Sequence, residues 1–199
     1  MTKGRLEAFS DGVIAIIITI MVLELRVPVG HGLDALVDTD PPLYLKFACY
    51  VLSFLHVAIY WNNHHHLLHG ARRVNGHIMW ANMHLLFWLS LVPFVTGWMG
   101  ESGLAPVPTA MYGTVMLGAG TAFFILLGCI LRSEGPDSAL ARAVGRDFKG
   151  KISPVVYLAA IAAVFVSPWI SALLYASVAL MWLVPDRRFE RALEEEHSK

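Results

Sequence analysis

Long apolar segments alternate with short polar ones along this chain. A helix that crosses a bilayer needs about 20 predominantly apolar residues. Six segments approach that length, and the stretches between them hold most of the charged residues. The predicted helices cover residues 5–27, 43–68, 78–98, 109–131, 152–166 and 169–184. The pattern therefore predicts an all-α polytopic membrane protein, with residues 1–199 forming a single six-helix domain.

The last two predicted helices are the shortest, at about 15 residues each, which is short for a tilted membrane helix. Only Ser167 and Pro168 separate them, so this region is expected to form a helical hairpin. The loop at 133–150 begins with Gly and Pro, and its middle favours a short amphipathic helix on the inner surface. No internal repeat and no interrupted helix is evident in the pattern.

Composition supports the membrane assignment. Hydrophobic residues make up 56% of the chain and charged residues 15%, with a mean hydropathy of +0.58. A soluble domain has about a quarter charged residues. The formal net charge of zero gives no indication of a nucleic-acid partner. Cys49 and Cys129 both fall within apolar segments, which favours small core residues over a disulfide.

Loop charge predicts the orientation. With the N-terminus in the cytoplasm, 13 of the 15 basic residues lie in inside segments, and only Arg26 and Lys46 lie outside. This asymmetry is the one that the positive-inside rule describes. An odd number of crossings would place the basic residues near the C-terminus outside. We therefore predict a plasma-membrane protein with both termini inside. The outside segments carry five acidic and two basic residues, a net −3, which would concentrate cations if the excess is more than chance.

The first helix carries ionisable residues near its cytoplasmic end. Arg5 and Asp11 are costly there unless they are paired or solvated. An interfacial arginine that extends to the headgroups and an aspartate near a helix N-terminus would explain both residues equally well.

Beyond Asp11 the first helix is almost purely aliphatic. Ile16, Ile20 and Leu23 share one face, and Thr19 borders it. If copies of this helix surrounded an axis, these side chains would form stacked hydrophobic rings, which can gate a pore by dewetting. Taken alone, such a stripe is more often a packing or lipid-facing surface.

Histidines cluster at the end of the second helix, over residues 64–66 and at residue 69. His65 and His69 are four residues apart, a spacing that can chelate a metal ion. No cysteine lies nearby, and the H-E-x-x-H pattern is absent. Hydrogen bonding between helices at the inner interface is the alternative. No phosphate-binding loop, hydrolase elbow or T-V-G-Y-G filter is present, so we expect no enzyme, and the residues alone leave channel and transporter open.

Three motifs carry a resemblance to a known family. Residues 5–11 read R-x-x-x-F-S-D, residues 60–65 read Y-W-x-x-H-H, and residues 80–94 read W-x-N-x-x-x-L-x-x-x-S-L-V-P-F. Together they resemble the signature of the transmembrane-protein-175 potassium channel family, in its single-repeat prokaryotic form.

The resemblance implies a homotetramer in which the first helix of each subunit lines a central pore. Potassium would permeate with modest preference over sodium, with no bound metal or other cofactor. Ile16, Ile20 and Leu23 would form the hydrophobic rings, with Ile16 the narrowest. Thr19 would lie beside the pore and influence selectivity.

The resemblance also implies a polar network that holds the first helix. Its members would come from the first three helices: Arg5, Phe9, Ser10, Asp11, Trp61, His65, Asn82 and His84. A cation secondary transporter, and a metal-binding membrane protein that uses the histidines of residues 64–69, stay open as alternatives.

Overall fold

The computed structural model describes residues 2–28, 32, 36–37, 40–136, 138–144 and 148–183. Within these ranges all regular structure is helical, which confirms the all-α prediction for that part of the chain. A 3₁₀ helix at Met21–Glu24 continues the first α-helix. The α-helices are α1 Lys3–Ile20, α2 Leu43–His69, α3 Gly76–Ser90, α4 Val92–Glu101, α5 Pro106–Glu134, α6 Ala139–Val144, α7 Phe148–Ala163 and α8 Pro168–Leu183.

Among the described residues, four helical stretches are long and apolar enough to cross a membrane: Lys3–Glu24, Leu43–His69, Gly76–Glu101 and Pro106–Glu134. α7 and α8 have 16 residues each. At the usual helical rise they are about 24 Å long, less than the roughly 30 Å of a hydrocarbon core. α8 is apolar nonetheless and packs against α7. The six crossings and the orientation stay predictions.

The third predicted helix, 78–98, is divided at Leu91 into α3 and α4. Pro93 lies in the first turn of α4, where it has no N–H to donate and its ring disfavours a continuous helix. The two helices still make one apolar span of 26 residues. The hydropathy pattern did not reveal the break because the residues on both sides of it are apolar.

The predicted loop at 133–150 is more helical than expected at its ends. α5 extends to Glu134, α6 occupies the middle, and α7 begins at Phe148. Residues 145–147 and the end of the last predicted helix, from residue 184, lie outside the described residues.

Close approach between α5 and its neighbours depends on two glycines. A Cβ atom on Gly118 would collide with the Trp88 ring of α3, and one on Gly113 would collide with Tyr175 of α8. Small residues let membrane helices approach each other where there is no water to drive association. α5 is therefore the central helix against which α3, α7 and α8 pack.

Polar contacts join the helix ends in two groups. At one end Lys3 Nζ donates to the His69 carbonyl at 2.7 Å, and the Arg72 amide donates to Glu134 at 2.7 Å. At the other end Glu101 accepts from Lys46 at 2.8 Å. Arg26 and Lys46 belong to this second end, whereas the other basic residues in the described ranges belong to the first. The predicted orientation rests on this separation.

Candidate pore face and its polar supports

The two faces of α1 differ sharply in burial. Leu6, Ser10, Ile14, Ile17 and Met21 recur every three or four residues and are at most 3% exposed. They form the face that packs against α2, α3 and α4. The opposite face is largely uncovered by the residues that the structure describes.

The predicted ring residues lie on the uncovered face. Ile16 is 60% exposed, Ile20 40% and Leu23 76%. Thr19 is exposed beside them, and its hydroxyl donates to the carbonyls of Ala15 and Ile16 at 3.0 Å each. Since the single hydroxyl hydrogen is used inside the helix, the oxygen can only accept or coordinate on the exposed side. The four residues thus form one apolar face with a single side-chain oxygen.

A buried hydrogen-bonded link joins α1, α2 and α3. Asn82 Nδ2 donates to Ser10 Oγ at 2.9 Å, and Asn82 Oδ1 lies 2.7 Å from His64 Nε2. An amide oxygen only accepts, so His64 Nε2 is the donor. Ser10 in turn donates to the Leu6 carbonyl at 2.8 Å. Since all three side chains are at most 1% exposed, breaking this link would leave polar groups unpaired in the interior.

An exposed link lies beside the buried one. Trp61 Nε1 of α2 donates to Asp11 Oδ1 of α1 at 3.0 Å. The Trp61 ring stacks on His65, with centroids 6.0 Å apart, and His65 stacks on His69 at 6.2 Å. His65 therefore belongs to an aromatic stack along the end of α2, in contact with Trp61 rather than hydrogen-bonded to α1.

Among the described residues of one chain, the other predicted network residues do not link α1 to α2 or α3. Arg5 is exposed, and no hydrogen bond or ion pair links it to Asp11 in the part of the chain that the structure describes. Phe9 is half exposed. His84 accepts a hydrogen bond from Trp88 of its own helix at 3.0 Å. The structure thus brings together Ser10 and Asn82, and separately Asp11 and Trp61.

Sequence reasoning placed His64 in the family motif and in the histidine cluster, but did not include it among the residues of the polar network. A usable signal was present in the spacing. Ser53, Val57, His64 and Leu68 are separated by four, seven and four residues, which places them on one helix face, and all four are buried. His65 is rotated by about 100° from that face.

The described residues contain no group of three or more His, Cys, Asp or Glu that could hold a metal ion. His64 is engaged by Asn82, and His65 and His69 stack on each other. Within the described residues, this cluster therefore makes one hydrogen bond to α3, through His64, and stacks along α2 through His65 and His69.

Comparison with known proteins bears on this arrangement. A family model described as "Endosomal/lysosomal potassium channel TMEM175" matches residues 5–93, which include α1 to α3 and the start of α4. A protein named as a potassium channel from Chryseobacterium sp. (strain P1-3) is 51% identical over 98% of this chain and 100% of its own length. The chain belongs to the TMEM175 potassium channel family. This confirms the resemblance on which the sequence reading relied.

Further similarities to TMEM175 proteins extend over the rest of the chain. A potassium channel from Chamaesiphon minutus (strain ATCC 27169 / PCC 6605) is 30% identical over 84% of this chain and 87% of its own. A crystal structure described as "a lysosomal potassium-selective channel TMEM175 homolog" from Chamaesiphon minutus matches with a TM-score of 0.75. It is 27% identical and covers 92% of this chain and 97% of that one. The fold is that of a membrane channel family and not of an enzyme.

Proposed function

We propose that this chain is one subunit of a homotetrameric, potassium-permeable channel whose central pore is lined by α1. The observation that carries the proposal is the unequal burial of α1. One face is held by three neighbouring helices, while the described part of the chain leaves the face of Ile16, Thr19, Ile20 and Leu23 largely exposed. The relatives from Chryseobacterium and Chamaesiphon are named as potassium channels.

Four copies of this face around an axis would form successive hydrophobic rings, with Ile16 the narrowest. An aliphatic constriction excludes ions because it offers no oxygen to replace their hydration water, so conduction requires the helices to move apart. Thr19 supplies the side-chain oxygen on the face and is our candidate for influence on selectivity. Potassium is the permeant ion, and the proposal needs no bound cofactor.

The two polar links would set the rotation of α1. Rotation about its axis would bury Ile16 and expose Ser10, which would separate Ser10 from Asn82. The Ser10–Asn82–His64 link opposes such rotation from inside the subunit, and the Asp11–Trp61 link opposes it from the surface. Arg5, Phe9 and His84 are exposed positions from which contacts to a neighbouring subunit could be made.

The membrane arrangement follows from the same proposal. Residues 1–199 would form one domain with six crossings, with α7 and α8 as the last two. Both termini would lie on the cytoplasmic side of the plasma membrane. The basic residues gather at the end of the molecule where Lys3, His69 and Glu134 lie, and basic residues favour that side.

Purified protein in liposomes provides the test. Under potassium/sodium bi-ionic conditions the wild type should give a passive cation current with a reversal potential that favours potassium. Ile16→Asn should raise the conductance and reduce the preference, because it replaces a ring of methyl groups with amides. Ile125→Asn is the matched control: Ile125 is 42% exposed on α5, outside the proposed pore.

If the Ile16→Asn channel gives currents with the same size and the same potassium preference as the wild type, Ile16 does not line the pore. If potassium flux appears only in the presence of a proton gradient, the protein is a secondary transporter and not a channel.

A further inference from the structure

The acidic residues at the predicted outer end of the molecule are not equivalent. Three of them, Glu24, Asp40 and Glu101, lie in the described ranges. Of these, only Glu24 belongs to the helical stretch that begins with α1, and it directly follows Leu23, the last of the proposed ring residues. Consecutive Cα atoms are about 3.8 Å apart. In an assembly with α1 around its axis, Glu24 therefore lies at the outer mouth of the pore.

Glu101 already has basic partners. Its Oε2 accepts from Lys46 Nζ at 2.8 Å, and its Oε1 lies 3.8 Å from Arg26 Nε. The Lys46 side chain is 13% exposed, whereas that of Arg26 is 83% exposed. Two opposite charges in close contact largely cancel each other at longer distances, so Lys46 and Glu101 together contribute little to the field at the mouth. The exposed guanidinium of Arg26 remains, two residues after Glu24.

Glu24 has no comparable partner. Among the described residues, no hydrogen bond or ion pair engages its carboxylate, and the residue is exposed. Glu24 lines an open groove of about 510 Å³ beside α4, and Ile20 lines the same groove. Because Ile20 is one of the proposed ring residues, the charge of Glu24 faces a space that is continuous with the pore face.

A glycine on α4 determines where the Glu24 side chain lies. A Cβ atom on Gly97 would be 2.9 Å from the Glu24 carboxyl carbon and would collide with its Oε2. The carboxylate thus lies directly against the backbone of α4, in the room that Gly97 leaves. Packing against α4, and not a charged partner, therefore positions this carboxylate.

We propose that Glu24, held against α4 at Gly97, sets the cation concentration at the outer mouth by offsetting the exposed charge of Arg26. The inference rests on the proposed function, because a charge at the end of α1 affects permeation only if α1 lines the pore. In a tetramer, four copies of each residue surround one entrance. Without Glu24, the four guanidinium groups repel the cations that approach. The charge acts equally on potassium and sodium, so it changes the current and not the preference.

The first test is Glu24→Gln, which removes the charge and keeps the shape. In planar bilayers at about 0.01 M potassium, the Debye length is about 30 Å, and we expect the single-channel current that enters from the outer end to fall about two- to fivefold. At about 1 M the Debye length is about 3 Å, and the variant should conduct like the wild type. Equal currents at low salt, or a loss that persists at about 1 M, would overturn the proposal.

The second test reverses the sign of the effect. Arg26→Gln should raise the low-salt current by a similar factor, and the Glu24→Gln/Arg26→Gln double variant should return it toward the wild type, since the two charges are then both absent. Asp40→Asn is the matched control, because it removes a negative charge from the same end of the molecule but from the residues before α2. It should leave the low-salt current unchanged.

Two outcomes of this second test would contradict the proposal. A lower current in Arg26→Gln would show that its charge does not oppose cation entry. A loss in Asp40→Asn as large as that in Glu24→Gln would show that the total charge of this end governs the current, with no special place for Glu24.

The position of the carboxylate is tested at Gly97. Gly97→Ala displaces the side chain at position 24 and should change the low-salt current in the wild-type background. It should have no effect in the Glu24→Gln background, because glutamine has the same shape and moves in the same way but carries no charge. The same change in both backgrounds, or none in either, would show that α4 does not position the charge.

Ile16→Asn, recorded in the same bilayers, separates this inference from the proposed function. If Ile16→Asn alters the current while Glu24→Gln matches the wild type at low salt, the pore is as proposed and the role of Glu24 is wrong. If neither variant differs from the wild type, α1 does not line the pore and both proposals fail.

Discussion

The helices α1 to α3 and the helices around α5 differ in which contacts place them most closely. α1 to α3 are joined by side-chain hydrogen bonds through Ser10, Asn82 and His64. Around α5, the Trp88 ring of α3 lies against Gly118 and Tyr175 of α8 lies against Gly113, with no room for a Cβ atom at either glycine. Hydrogen bonds to backbone carbonyls, from Tyr175 to Thr109 and from Ser171 to Ala160, add to this packing. Hydrogen bonds fix direction, whereas close packing fixes distance. The first region therefore suits a helix whose rotation matters, and the second suits a rigid support.

The largest expected effect comes from breaking the buried link. Asn82→Leu leaves His64 Nε2 without an acceptor and Ser10 without its donor. Each unpaired buried group costs about 1–3 kcal/mol. We expect loss of the channel's quaternary structure or of its current, measured by size-exclusion chromatography with light scattering and by liposome flux.

A control at the neighbouring histidine sharpens this prediction. His65→Leu alters a residue of similar chemistry that contacts Trp61 and His69 only by stacking. It should retain assembly and flux. Equal losses in the two variants would show that the buried link has no special role.

Damage to the packing region should be somewhat smaller and of a different kind. Gly118→Leu forces the Trp88 ring to move, and overpacking typically costs about 1–3 kcal/mol. We expect a lower midpoint of thermal unfolding in detergent, with the potassium preference of the surviving channels unchanged. Gly128→Leu should leave the midpoint unchanged, because a Cβ atom there meets nothing within 4 Å. A shift in ion preference with Gly118→Leu would mean that the α3–α5 distance controls the pore.

The smallest effect is expected at the exposed link. Trp61→Phe removes the hydrogen bond to Asp11 and keeps an aromatic ring beside His65. Because the pair is exposed, its loss should cost about 1 kcal/mol or less. The open probability of single channels should change by no more than several-fold, with conductance unchanged. A complete loss of current would show that the exposed link, and not the buried one, holds α1.

The sequence predicted the elements better than it predicted their contacts. The stripe of Ile16, Ile20 and Leu23 is visible because an aliphatic helix has a periodic pattern, and the chain leaves that face uncovered. The break at Leu91 is not visible, because apolar residues continue through it. Helix length also limits the inference: α7 and α8 are predicted as crossings but remain below the length at which apolar character alone identifies one.

Side-chain partners were predicted only in part, for a geometric reason. The family resemblance implied that Ser10, Asp11, Trp61 and Asn82 belong to one polar network. The family resemblance put His65, not His64, in the network, whereas His64 is the histidine that contacts Asn82. His56 attracted no attention because a lone histidine in an apolar helix has no pattern, and its contact with the Tyr112 hydroxyl arises only when α2 packs against α5.

The central claim is that the exposed face of α1 lines the pore, and cysteine accessibility tests it most directly. In a Cys129→Ser background, Ile16→Cys should make the potassium current sensitive to a membrane-impermeant cationic thiol reagent, with faster block when the channel is open. Ile125→Cys, exposed on α5, should conduct unchanged through the same treatment. If the reagent modifies Ile16→Cys without any loss of current, α1 does not line the pore. The same conclusion follows if the reagent blocks the current of Ile125→Cys instead.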